Sequence, residues 1–167
     1  MSNSAMVFTT RMPAGFPGSL TRPDEATVET QAMSLDAPVT AFGLPVKMVG
    51  GKVAPLEAGD TEDAVYGFLV RVFPTVSGDL SASFDGAAPN PHQLHSVMTR
   101  GYMSVVCAAG TPDKGGQVYV RLAPGSGNAP LGQIESAAVS GETVALPHCI
   151  FTGSGDAQGV TEIRLWR

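Results

Sequence analysis

With 167 residues, 43% of them hydrophobic and 15% charged, the chain has the size of one domain and enough apolar content to bury a core. Its net charge of −5 comes without any cluster of Lys or Arg, which excludes a nucleic-acid partner held through a basic footprint. No run approaches the roughly 18 apolar residues of a membrane span. Residues 1–20 are broken by Arg11 and by several prolines and glycines, so neither a membrane partner nor a signal peptide is expected. The 20 Gly and 13 Pro fall between short β-prone segments, the punctuation of an all-β sandwich or barrel. Charged content is well under the typical ~25%, which suits a protein that buries much of its surface in an assembly and equally an ordinary β-domain.

Residues 1–36 hold almost no core and read as an extended N-terminal arm. Met12-Pro13-Ala14-Gly15-Phe16-Pro17-Gly18 forces an extended or turning backbone. Phe16 is the side chain such an arm would bury on a partner, with Arg22 beside it, and residues 27–35 have the alternation of an edge strand. A single β-rich domain over residues 37–167 is expected to follow. Residues 40–49 form a strand that Pro45 interrupts, placing it at an edge or a bulge. Gly50-Gly51 then predicts a hairpin turn into residues 52–56. Asp60, with Asp63 three residues on, predicts a capped helical turn.

Residues 64–75 are the longest apolar run: Ala64-Val65-Tyr66-Gly67-Phe68-Leu69-Val70-Arg71-Val72-Phe73-Pro74-Thr75. The run lacks clean polar alternation, which predicts a central strand covered on both faces. Arg71 is its one charged residue. Beyond a loop, with a short strand expected over residues 80–84, Asn90-Pro91 with Gln93 carries a helix-start pattern. Leu94, Val97 and Met98 follow at helical spacing before Gly101, so one short helix over residues 90–100 is expected, ending near Arg100. Residues 101–107 and 117–122 read as a hairpin around Pro112-Asp113 and Gly115-Gly116. After a Gly/Pro/Ser loop, short strands are expected at residues 131–135, 142–146 and 149–152. An alternating strand over residues 161–166 closes the chain, with Ile163 and Leu165 on one face. The fold class is therefore all-β, a β-sandwich or jelly-roll-like barrel with one short helix and the arm.

Chemistry is sparse. His92 and His95 would share a helix face, but only the distant His148-Cys149 offers further metal ligands, so no metal is expected. Asp79, Asp85 and Asp156 are too scattered for a calcium loop. The Gly125-Ser126-Gly127-Asn128 loop precedes no helix, and turn chemistry accounts for it. No nucleophile elbow, P-loop or dinucleotide fingerprint is present, so neither catalysis nor a cofactor is expected. Cys107 and Cys149 lie in apolar runs, where buried free thiols are the commoner state, and nothing in the spacing says whether they approach each other.

Several phrases, in order along residues 12 to about 165, resemble the cement (decoration) proteins that coat tailed-bacteriophage capsids. They are Met12-Pro13-Ala14-Gly15 with Pro17-Gly18, Ala41-Phe42-Gly43-Leu44-Pro45-Val46-Lys47, and Gly59-Asp60. Val65-Tyr66-Gly67-Phe68-Leu69-Val70-Arg71, Phe73-Pro74-Thr75 and Arg100-Gly101-Tyr102-Met103 continue the series. Lys114-Gly115-Gly116-Gln117-Val118-Tyr119-Val120-Arg121, Ala145-Leu146-Pro147 and Phe151-Thr152-Gly153 complete it. The resemblance implies a β-rich staple on the outer capsid surface of the virion, made in the host cytoplasm. It implies bridging of neighbouring capsomers of the major capsid protein in the expanded head. It also implies self-association, with a homodimer favoured and a homotrimer as the alternative. The residues expected to touch capsid or sister subunit are Phe16, Arg22, Arg71, Phe73 and Arg100. The competing reading is a ligand- or carbohydrate-binding β-domain displayed on a particle, which would need an open aromatic platform from Trp166, Tyr66, Tyr102 or Tyr119.

Overall fold

The computed structural model describes residues 15–71, 88–124 and 130–166. Nine strands are present among them: β1 (Thr27–Ala32), β2 (Pro45–Val49), β3 (Lys52–Pro55), β4 (Gly67–Leu69), β5 (Leu94–Ala109), β6 (Gln117–Arg121), β7 (Ile134–Glu135), β8 (Thr143–Phe151) and β9 (Val160–Trp166). Helical structure among these residues is limited to two 3-10 turns, Pro23–Glu25 and Glu62–Ala64.

The 16-residue strand β5 organises everything else. Its second half belongs to a closed barrel that runs β5-β7-β6-β8-β9 and returns to β5, with β9 registered from Arg100↔Trp166 to Val106↔Val160. Its first half pairs with β1 and with β4, and β4 continues through β2 to β3. A parallel Met33↔Val53 bridge, with the Ser34 N–H donating to Val53 O at 2.8 Å, ties the end of β1 back to β3. Two rings of strands thus share one long strand. Each has its own core. Phe68, Met98, Met103, Phe151 and Ile163 belong to the larger cluster, while Val46, Val53, Leu69 and Val97 belong to the smaller.

The expected all-β barrel is present, and so is the burial of residues 64–71 on both faces. Phe68 packs into the larger core and the adjacent Leu69 into the smaller, both with no exposure. Alternate residues of a strand point to opposite faces, so a strand between two cores is apolar throughout. Gly67 is required here because a Cβ would lie 2.5 Å from Met98 O. The Gly50-Gly51 hairpin is also present, both residues at positive φ (57° and 77°), the geometry of a two-residue primed turn.

Several expectations are corrected. Residues 90–100 are not a helix. Asn90 Oδ1 accepts the His92 N–H at 3.0 Å and Asn90 O accepts the Gln93 N–H, so Asn90 nucleates a turn. Leu94 onward is then strand, and Gly101 is a mid-strand residue at φ 131° where a Cβ would strike Ala26 Cα at 2.8 Å. The central long strand is consequently β5, and β4 is only three residues. Strands β5 and β6 do not form a hairpin, because β7 inserts between them, parallel to β5 and antiparallel to β6. Pro45 does not mark an edge: it is the first residue of β2, which pairs on both sides. Asp60 caps no helix. Its carboxylate accepts the Glu57 N–H at 2.7 Å and pairs with Lys47 Nζ at 2.9 Å. The short strand expected at residues 80–84 lies outside the described residues.

The two segments read as separate strands at residues 142–146 and 149–152 are one strand with a kink. The break falls at Pro147-His148, where His148 takes φ 66°, a conformation uncommon for a residue with a Cβ. Gln117 spans the break: its Nε2 donates to Leu146 O at 2.6 Å on one side and to Cys149 O at 3.2 Å on the other.

Candidate functional site

The arm residues within the described chain are laid along β5. Gly18 N–H donates to Ser104 O, Leu20 bridges Met103, Thr21 N–H donates to Tyr102 O, and β1 continues the same antiparallel run from Arg100 to Leu94. This docking sorts four of the five expected contact residues into two places. Phe73, the fifth, lies outside the described residues.

The first place is an arginine–aromatic face. The Arg22 guanidinium lies 3.9 Å from the Tyr102 ring centre and 3.3 Å from the Glu162 carboxylate. Arg164 lies 5.6 Å from Tyr102 and 5.4 Å from Trp166, and His148 meets Trp166 edge-on at 6.1 Å. A shallow groove of about 290 Å³ beside them is lined by Arg100, Tyr102, Arg164 and Trp166, with Asp24 and Glu25 on its other rim. Arg164 is not among the expected contact residues, and Trp166 enters the sequence reading only as a platform of the competing ligand-binding domain. Their alternation on β9 was the available signal, since it sends Arg164 outward while Ile163 and Leu165 go in. The carbohydrate reading needs a bare ring face, but Tyr102 is buried with two guanidinium groups against it, and the Tyr66 hydroxyl donates to Glu29.

The second place is built by close backbone crossing. Gly18 and Gly43, both at positive φ, pack so tightly that a Cβ on Gly18 would lie 2.7 Å from Phe42 Cβ, and one on Gly43 would lie 2.8 Å from Gly18 N. Arg71 N–H donates to Gly18 O at 2.8 Å, which fastens the end of β4 to the same crossing. The Arg71 side chain is 6% exposed and is flanked by the rings of Phe16 at 5.4 Å and Phe42 at 5.8 Å. Among the described residues its Nε and Nη2 have no hydrogen-bond partner. Phe16 itself is 42% exposed.

The remaining titratable groups have structural explanations. His95 is buried and its Nε2 lies 2.7 Å from Asn90 O; on a turn followed by a strand, it and His92 no longer share a helix face. Asp156 Oδ1 accepts the Gln158 and Val160 N–H groups, closing the turn before β9. Cys107 and Cys149 are buried free thiols, and burial pushes both above the ordinary thiol range. Among the described residues no group of three or more His, Cys, Asp or Glu side chains could hold a metal ion.

The barrel thus carries, on one face, stacked arginines and aromatic rings, the residue types enriched where protein surfaces meet. The comparison with known families makes this specific. The family described as structural cement protein (E217 gp24/Pam3 gp6) matches residues 6–166, and the chain belongs to it. It is thereby a structural protein of the phage capsid. Four chains of solved structures match, among them one from the capsid of Myoviridae phage XM1. That chain is 18% identical with a TM-score of 0.65, the alignment covering 99% of this chain and 96% of the other, so the likeness is one of fold. No curated protein sequence matches.

Proposed function

We propose that this protein binds the outer surface of the expanded phage head and bridges neighbouring capsomers of the major capsid protein. The observation that carries the reading is family membership over nearly the whole chain. The geometry supplies a means. Arg, Tyr and Trp are the residue types enriched at protein interfaces, and here Arg22, Tyr102, Arg164 and Trp166 form one continuous stacked face. A shell under internal pressure gains from many modest contacts repeated by symmetry, because linked contacts multiply in effect without each being tight. In this reading the protein acts without catalysis or cofactor, as a homodimer or alternatively a homotrimer. Its partner is the coat-protein lattice, and its negative net charge keeps it off nucleic acid.

The test is co-sedimentation of purified protein with expanded shells lacking it, alongside unexpanded shells. Saturable pelleting with expanded shells alone is the expected result, and its stoichiometry gives the copy number per capsomer. Protein that stays in the supernatant with both shells overturns the reading.

A further inference from the structure

The arginine–aromatic face accounts for Arg22 and Arg164 but leaves Arg71 unexplained. Arg71 is 6% exposed, and its two guanidinium donors unpartnered among the described residues are costly, because buried cations are normally matched by an anion. Beside it opens a cleft of about 440 Å³ whose lining is mostly apolar, including Phe42, Leu44, Val106 and Ile134. Among the described residues no carboxylate contributes to that lining, and apart from Arg71 its one polar side chain is Gln133. Phe16 and Phe42 flank the guanidinium, and the Gly18–Gly43 crossing fixes the backbone that carries both rings. Arg71 lines the cleft while its Nε and Nη2 are covered, and a carboxylate that displaces what covers them takes two parallel hydrogen bonds from that edge.

We infer that the Arg71 cleft is a receptor for an Asp or Glu side chain carried on an apolar segment of the coat protein. The inference rests on the capsid-binding reading and names the chemistry of one of its contacts. Charge complementarity selects the anion, and the apolar walls select what flanks it. Val106 is 42% exposed, so its side chain is open to an incoming segment. A desolvated carboxylate meeting a buried guanidinium is the type of contact that dominates an interface, unlike an ion pair at its rim.

The experiment compares wild type, Arg71→Met, Val106→Asp and Val106→Lys in the same expanded-shell sedimentation, with thermal unfolding of each as the folding control. Arg71→Met keeps the apolar stem and removes the fork, and is expected to weaken shell binding at least about tenfold while remaining folded. Val106→Asp sets a like charge at the cleft mouth and is expected to weaken binding similarly, whereas Val106→Lys stays within about threefold of wild type. If Arg71→Met does not fold, the two Val106 variants decide. Wild-type sedimentation with unchanged binding by Arg71→Met or by Val106→Asp overturns the receptor and leaves the cement reading standing. Wild type that fails to sediment overturns the cement reading and the receptor with it. A further arm adds sodium butyrate to the free protein: an Arg71 Nε–H resonance that saturates below millimolar butyrate indicates a small-molecule site and also overturns the coat-protein receptor.

Discussion

At the scale of single residues, charge is placed where the fold can satisfy it. Arg121 lies in the barrel with Nε 2.6 Å from Glu135 Oε1, and Nη1 pairs with Glu142. Glu135 is 1% exposed, so this is a buried ion pair. Arg121→Met should destabilise the protein by about 3–5 kcal/mol, because Glu135 is left buried and unpaired. Arg121→Met with Glu135→Leu should recover most of that, as a denaturant series on the double-mutant cycle would register. Lys47 and Asp60 set a pH window instead. Burial pushes the Asp60 carboxyl up, but the Glu57 N–H and the Lys47 ammonium outweigh it and hold it below the ordinary value. For Lys47, burial acts downward and is outweighed by Asp60 and Glu57, which raise it. A depressed carboxyl contributes stability above its unfolded pKa of about 4 and loses it as pH falls through the folded value. The raised amine contributes below about pH 10 and loses it as pH climbs past its folded value. The melting-temperature gap between wild type and Asp60→Asn should therefore be flat near neutrality, shrink below about pH 4, and shrink again in strong alkali.

At the scale of elements, β8 pairs with β6 on both sides of its kink and with β9 after it. Thr143 to Ala145 pair with β6, Cys149 to Phe151 pair with β9, and beyond the break Ile150 meets β6 again at Gln117, whose side chain ties the break. Gln117→Leu keeps the volume and deletes the donor, leaving the Leu146 and Cys149 carbonyls unsatisfied. A loss of about 1–3 kcal/mol is expected from thermal or chemical unfolding. An unchanged stability would mean that water replaces the amide. Pairing by several partners also lets β5 exceed ordinary strand length. It is paired in succession by β1, β4, β9 and β7, so no long open edge is left along it.

At the scale of the molecule, residues 15–32 behave as part of the barrel wall. Removing residues 1–24 strips the Leu20↔Met103 bridge, the hydrogen bonds from Gly18 and Thr21 to β5, and the stack of Arg22 on Tyr102. Removing residues 1–14 touches none of these. The longer deletion should unfold at a clearly lower temperature than the shorter, by an amount equivalent to roughly 3 kcal/mol or more. Equal melting temperatures would show that the docked segment adds nothing to stability. Shell binding by the two deletions then separates the contribution of residues 15–24 from that of the segment before them.

Composition and turn chemistry alone were enough to read an all-β chain, the Gly50-Gly51 hairpin, the terminal strand and the doubly covered stretch around Phe68. These are local properties: glycine's tolerance of positive φ, alternation of period two, and an apolar run too continuous for a one-sided strand. The family resemblance was legible too, as a series of short phrases in order. Other features depended on which segments meet. Residues 90–100 carry a helix pattern, yet pairing with β1 and β4 outweighs that propensity, since backbone bonds and core contacts on both sides exceed what two helical turns supply. The insertion of β7 between β5 and β6 has no local signature, because Ile134 and Glu135 are only two residues. The same holds for the Arg71 cleft. Gly18, Gly43 and Arg71 are far apart in the chain, and only the glycine crossing, possible without side chains, brings a buried cation between two phenylalanine rings.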